Sequence, residues 1–287
     1  AQFDRGLTQS LPLLDAESGP AIGIGADLGI WGALRGAQSV MRGLMTGRGE
    51  AGSPCAIPMS LMVVAQNTLA HAWRILLEQV AEGQFAICGE EEDTITERLY
   101  MILDYLYTNE PDIIRGFSLF QLPVREGNLS NRVGDKRDNQ PDLAFRPLRG
   151  QLNTRSSAMA AIFVECKPID SAHPIGSTYC KAGISRFVRE DYAWAVDRAI
   201  MLGYVRNICP LPDGLAYVLG SDAGKANYQV YEELAYLSKT EHGDVVYCSV
   251  HQRQSTTPSA PTPSQPITLH HLWLKPEKPC EVTRCKV

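Results

Sequence analysis

The sequence predicts an α/β fold: a mixed central sheet flanked by helices, with an N-terminal helical arm and a C-terminal β-hairpin extension. Three observations carry this. Helical patterns are followed by three strand-like runs, a further helix and another strand. The run from Ala158 to Glu165 is almost unbroken in its apolar character, as a strand covered on both faces requires. Two last strand patterns close the chain around a segment dense in Ser, Thr and Pro.

Taken in order, residues 1–57 are rich in Gly, Ala and Ser and broken at Gly19-Pro20 and Gly52-Ser53-Pro54, so they read as an irregular arm with one short helix near 27–46. Ser60 is expected to cap a helix running to about Glu82, on which Leu61, Val64, Leu69, Leu76 and Val80 recur at helical spacing. A second helix over Glu91 to Tyr107 places Ile95, Leu99, Ile102, Leu103 and Leu106 on one face. Strands are expected at Gly116–Val124, Asp142–Arg146 and Ala158–Glu165, then a long helix over about 181–206, a strand at Leu215–Leu219 and a helix near 227–239. Asp244–Gln252 and Ile267–Leu274 should pair as an edge hairpin, because the prolines of Gln254–Pro266 between them cannot donate to a ladder. The main domain is thus 58–275, with 276–287 a tail.

With 27 basic against 32 acidic residues and a net charge of −5, a broadly basic nucleic-acid coat is excluded, although a local basic groove is not. No apolar run approaches the ~18 residues needed to span a bilayer. The 8 cysteines are scattered, without the CxxC pairs of a tetrahedral zinc site, and read as free thiols of a reducing, cytoplasmic compartment. Cys280 and Cys285 could pair or take a metal, but read more simply as part of a dangling tail. The N-terminus lacks the order of a secretory signal, and Ala1 in place of an initiator Met points to processing or a cut edge.

The chemistry concentrates at Pro141-Asp142, which opens one strand, and Glu165-Cys166-Lys167, which closes another. If the two strands are neighbours, both carboxylates reach one edge of the sheet and can share a divalent cation. Hard oxygen ligands of this kind suit Mg²⁺, with Mn²⁺ as a substitute. Lys167, two residues after Glu165, points to the same face. Carboxylates, cation and ammonium together are what phosphodiester hydrolysis demands, and a desolvated lysine beside a metal is expected to have a depressed pKa that suits a base. The alternative is a structural Glu–Lys pair at a strand end.

At these residues the sequence resembles the PD-(D/E)xK nuclease superfamily, whose restriction-endonuclease-like fold would cover roughly residues 90–220. The resemblance implies a metal-dependent nuclease in which Asp142 and Glu165 are metal ligands, the Cys166 carbonyl is a further ligand and Lys167 is the catalytic lysine. It also implies a carboxylate from the first core helix. At 100° per residue Glu92 lies closest to the apolar face of that helix, Glu91 further off and Glu97 almost opposite, although an acidic first turn is also favoured by the helix dipole. In such a fold Lys181 and Arg186 on the next helix could hold a phosphate backbone, or simply be solvated. Gly183 could permit close backbone approach. His251, His270 and His271 form the remaining polar group, either a metal or base site or the outer face of the hairpin.

The expected function is Mg²⁺-dependent cleavage of nucleic acid, DNA before RNA, in a defence or repair assembly where a homodimer or partner subunit supplies part of the affinity. Two alternatives remain: a catalytically inactive relative used as a binding or scaffold subunit, and a hydrolase of small phosphorylated molecules with the same metal site in a closed pocket.

Overall fold

The computed structural model describes residues 54–127, 129, 139–154, 160–207, 209–254, 265–276 and 278–280. The expected arm, with its helix at 27–46, lies outside them up to residue 53, as does most of the connection after Gln254. The end of the arm is stitched into the domain. The Cys55 amide donates to the Ala195 carbonyl at 2.7 Å, and the amide of buried Ile57 donates to Asp197 Oδ1 at 2.7 Å.

Two helices come first, α1 (Met59–Ala81) and α2 (Glu92–Asn109). Their apolar stripes are buried as the periodicity predicts: Leu61, Leu69 and Leu76 on α1, and Ile95, Leu99, Ile102, Leu103 and Leu106 on α2. Ser60, however, lies inside α1. The chain enters from Pro58, whose extended backbone turns its carbonyl to accept from Leu61 and Met62 at 3.0 and 3.2 Å, so no side-chain cap is used.

The sheet has seven strands: β1 (Val124–Arg125), β2 (Leu143–Phe145), β3 (Ile162–Ile169), β4 (Arg198–Val205), β5 (Val230–Lys239), β6 (Val245–His251) and β7 (Ile267–Leu274). Their spatial order is β1-β2-β3-β4-β7-β6-β5. β3 and β7 both run parallel to β4, and the remaining pairs are antiparallel, so the sheet is mixed. α1 and α2 cover one face, where Trp73 stacks on Tyr204 at 5.6 Å and Thr96 meets the Tyr204 hydroxyl at 3.0 Å. A π-helical segment, Ile175–Ile184, continues into a single turn, α3 (Ser185–Val188), and covers the other face. There Gly183 is so close that a Cβ would lie 2.5 Å from Met201 Cε and 3.4 Å from Lys167 Cγ.

Several boundaries differ from the expected ones. Gly116–Val124 is mostly not a strand: Phe117–Leu119 forms a 3₁₀ turn that buries Phe117 and Phe120, three apart, and only Val124 enters the sheet. β3 does not stop at Glu165 but continues in register with β4 as far as Ile169, because Glu165 and Lys167 find charged partners and need not end it. The long helix expected over 181–206 ends at Val188; its second half is β4, an unbroken apolar run at the centre of the sheet that has the composition of a buried strand and no helical period. Leu215–Leu219 lies in a helix, α4 (Asp213–Gly220), since five apolar residues do not discriminate between the two states. α5 (Asp222–Asn227) follows. Most of the helix expected near 227–239 is instead the edge strand β5, from Val230 on, which pairs on one side only, is mostly solvent-exposed and therefore carries the polar composition of a surface helix.

β6 and β7 pair as the expected antiparallel hairpin, but β7 is internal, between β6 and β4. The three histidines are consequently buried, not on an outer edge. His270 meets Gln66 of α1 at 2.8 Å, while His251 and His271 are joined through the Ser249 hydroxyl at 2.7 and 2.8 Å. Burial pushes His251 and His270 down to about 4, and His271 well below the usual imidazole value.

The cysteines also require correction. Cys88 is joined to Cys280 across 192 positions, and Cys209 is disulfide-bonded as well, while Cys55, Cys166, Cys180 and Cys248 are free. Thus Cys280 is tied to the core instead of dangling, and the argument from free thiols to a reducing compartment does not hold. No helix among the described residues is long and apolar enough to cross a membrane.

The close packing of β4 is testable at Gly203, where a Cβ would lie 2.6 Å from Trp273 Cδ1 and 2.8 Å from Ile169 Cδ1. Gly203→Ala should cost about 1–3 kcal/mol in denaturant unfolding. Gly176→Ala, with nothing within 4 Å of the new methyl, should cost far less.

Candidate active site

Antiparallel pairing of β2 with β3 sets Leu143 opposite Val164, so Asp142 arrives opposite Glu165. The contact is direct: Asp142 Oδ2 accepts the Cys166 amide at 2.5 Å. Alternation along β3 then sends Glu165 and Lys167 to one face and the Cys166 side chain to the other. The first turn of α2 adds Glu92 from beyond the end of the strand.

All four groups meet at the Lys167 ammonium. Its Nζ lies 2.6 Å from Glu92 Oε1, 2.6 Å from the Cys166 carbonyl oxygen, 3.0 Å from Glu165 Oε1 and 3.8 Å from Asp142 Oδ2. Arg186 joins from α3, donating Nη1 to Glu165 Oε1 at 2.7 Å and Nη2 to the Gln140 carbonyl at 3.1 Å. The Tyr192 hydroxyl donates to the other oxygen of Glu165, and the Arg186 guanidinium lies over the Tyr192 ring, 5.0 Å from its centre. Glu165 is wholly buried, whereas the side chains of Asp142, Glu92 and Arg186 keep 15, 23 and 26% of their surface, so the cluster opens to solvent on their side.

The electrostatics follow from three carboxylates in one partly dry place. Burial, and then the charge of Glu165, raise Asp142 to about 7. Burial also raises Glu92, outweighing the attraction of Lys167. Burial alone would pull Lys167 down, but the charges of Glu165, Asp142 and Glu92 outweigh it and hold the amine above its ordinary value. The expected depressed lysine is therefore reversed, and Lys167 is a firmly held cation.

The same geometry tests the fit of a metal. Among the described residues no group of three or more acidic, imidazole or thiol side chains stands ready to hold an ion. Instead an ammonium sits at the focus of four oxygens, those of Glu92, Asp142, Glu165 and the Cys166 carbonyl. That donor set is all hard oxygen and matches what Mg²⁺ or Mn²⁺ prefers. A metal binding there must displace Nζ from its present focus.

Of the residues singled out in the sequence, Glu92, Asp142, Glu165, Cys166 and Lys167 converge and Arg186 contacts them through Glu165. Glu97 instead faces Arg125 at 3.9 Å. Lys181 is exposed on the π-helical segment and is not among the groups brought together. Two participants had no sequence signal, the Tyr192 hydroxyl and the Gln140 carbonyl. Tyr192 reaches Glu165 after a turn that follows α3, in which Glu190 takes a positive φ of 58°.

A charged Asp142 should weigh on the fold when no metal is present. Its folded pKa of about 7 lies above the unfolded value of 3.8, so the cost appears as pH rises through that interval. In EDTA, Asp142→Asn should therefore be more stable than the wild type at pH 8, by about 1–3 kcal/mol after allowance for residual solvation. The advantage should shrink towards pH 4 in parallel thermal melts.

No family model, no curated protein and no solved structure matches the chain.

Proposed function

We propose that the protein is a metal-dependent nuclease of restriction-endonuclease-like fold that hydrolyses phosphodiester bonds, of DNA before RNA. The observation that carries this reading is the convergence of Glu92, Asp142, Glu165 and the Cys166 carbonyl on the Lys167 ammonium. The order α2, β1, β2, β3, helix, β4 is the one the resemblance implies, and it supports the reading.

Glu92, Asp142, Glu165 and the Cys166 carbonyl would hold Mg²⁺, which when bound supplies an acidified water and neutralises charge on the phosphate. Lys167, as an ammonium, orients the attacking water and offers hydrogen bonds to the oxygens of the pentacovalent state; it does not take up the proton. Arg186 and Tyr192 fix Glu165 in direction through their hydrogen bonds, and the solvent-facing edge of Arg186 can meet a neighbouring phosphate. Since the chain carries a net charge of −5, a second copy or a partner subunit supplies part of the nucleic-acid affinity. Action within a defence or repair assembly belongs to this proposal. The disulfides weigh against a cytoplasmic site, so no compartment is assigned.

One observation favours a second reading, a non-catalytic relative used as a binding or scaffold subunit. Glu165 is fully buried with both oxygens already taken by Lys167, Arg186 and Tyr192, as a purely structural ion cluster would be.

Cleavage of labelled DNA with Mg²⁺ or Mn²⁺ separates the two. The nuclease reading expects EDTA to abolish cleavage, and Lys167→Ala and Asp142→Ala each to lower it at least about a hundredfold with far-ultraviolet circular dichroism retained. Under the scaffold reading there is no metal-dependent cleavage to lose.

A further inference from the structure

The segment that delivers Glu92 begins with little support of its own. Helix α2 starts at Glu92 after Glu91, which makes no side-chain capping bond, and Gly89 just before it takes a positive φ of 83°. What fixes this entry lies outside the helix, in two ties to the ends of the central strands.

The first tie is Arg206, the residue that follows β4. Its Nη1 donates to the Glu90 carbonyl at 2.5 Å and its Nε to Asp170 Oδ2 at 2.7 Å, Asp170 being the residue that follows β3. The second is the disulfide from Cys88, four residues before Glu92, to Cys280. The Cys280 amide in turn donates to the Arg206 carbonyl at 2.7 Å. Both ties therefore meet at one residue, and both pull on residues 88–90. Cys88, Cys280 and Glu92 also line a common pocket of about 630 Å³, so the disulfide and this candidate ligand border the same space. Cys88 is exposed and Cys280 half-buried, within reach of a thiol reagent.

We propose that the Cys88–Cys280 disulfide is a clasp that positions Glu92 for cation binding, and that its reduction by a thiol or dithiol reductant weakens the metal affinity of the site. This rests on the reading of Glu92, Asp142 and Glu165 as a metal site. In the reducing step a thiolate of the reductant attacks one sulfur of the pair and the S–S bond breaks. A second thiol of the reductant then resolves the mixed disulfide, so two electrons and two protons pass to Cys88 and Cys280 and the reductant leaves as its own disulfide. Asp142, Glu165 and Lys167 are held by the sheet and do not move with the clasp, so the site is loosened at one ligand only. A loss of about tenfold in affinity is expected, the scale on which groups that orient metal ligands act.

The test is calorimetric titration of the full, oxidised chain with Mn²⁺, comparing the wild type, Cys88→Ser/Cys280→Ser, Glu92→Gln, and the three changes combined. The double serine variant leaves the Cys209 disulfide intact. A clasp acting through Glu92 makes the serine variant bind Mn²⁺ about tenfold more weakly, while adding the serines to Glu92→Gln causes no further loss. Equal affinity in the wild type and the serine variant, or a full additional loss in the combined variant, overturns the clasp and leaves the metal site standing. Absence of Mn²⁺ binding by the oxidised wild type overturns the metal site itself, and the clasp with it. Should the serine variant not fold, hydrogen exchange on the wild type decides. Peptides covering 84–95 must exchange faster after mild thiol treatment while β3 and β4 do not, and unchanged exchange in 84–95 rejects the proposal.

Discussion

An ammonium surrounded by three carboxylates is the constraint to which the rest of the molecule is fitted. Glu165 is wholly buried in the middle of β3, and a charge there is tolerated only because Lys167, Arg186 and Tyr192 supply donors on every side. Meeting that requirement draws in distant parts of the chain. β2 must deliver Asp142, the start of α2 must deliver Glu92, and the chain after α3 must double back to return Tyr192. The balance is incomplete, since Asp142 and Glu92 are both raised by burial. An arrangement that leaves negative groups short of positive charge is not explained by stability alone, and it is the feature on which the proposed cation site rests.

How much of this was legible in the chain depends on what each residue had to do. Glu165 and Lys167 share a face because a strand alternates, and Glu92 faces inward because a helix turns by 100° per residue; both follow from local geometry. The failures lie where tertiary context overrides local signals. β4 reads as the second half of a helix because apolar residues buried on both sides carry no period. β5 reads as a surface helix because an edge strand exposed to water has no alternation to show. The approach of Tyr192 to Glu165 is hidden, since it follows a turn in which a non-glycine residue, Glu190, is held at positive φ. The state of Lys167 is hidden for a related reason. Desolvation follows from the strand's apolar character, but the number of carboxylates gathered around the amine depends on the whole fold.

The disulfide shows a similar limit. Cys88 and Cys280 lie 192 positions apart, and nothing in their spacing indicates that the two ends of the domain meet. They are brought together by the neighbouring ends of β3 and β4, where Asp170 and Arg206 form a second charged cluster behind the first. The two clusters share the stretch of chain from Glu90 to Glu92, one holding its backbone and the other a side chain.

The serine between the two buried imidazoles of the hairpin has a consequence for strand pairing. The Tyr228 carbonyl, 2.7 Å from His251 Nδ1, can only accept, so that nitrogen carries the hydrogen and Nε2 must accept from Ser249. Ser249 is then free to accept from His271 Nε2, while the one hydrogen of the Tyr179 hydroxyl is shared between His271 Nδ1 at 3.0 Å and the Met201 carbonyl at 3.1 Å. Each ring is thereby restricted to a single tautomer in a one-way chain of three links. If β6 slipped by one residue against β7, Ser249 and His251 would turn together to the opposite face of the sheet, and His271 would lose its Ser249 partner in the dry interior. Polar groups thus add their own requirement to the alignment that the apolar side chains of these two strands specify.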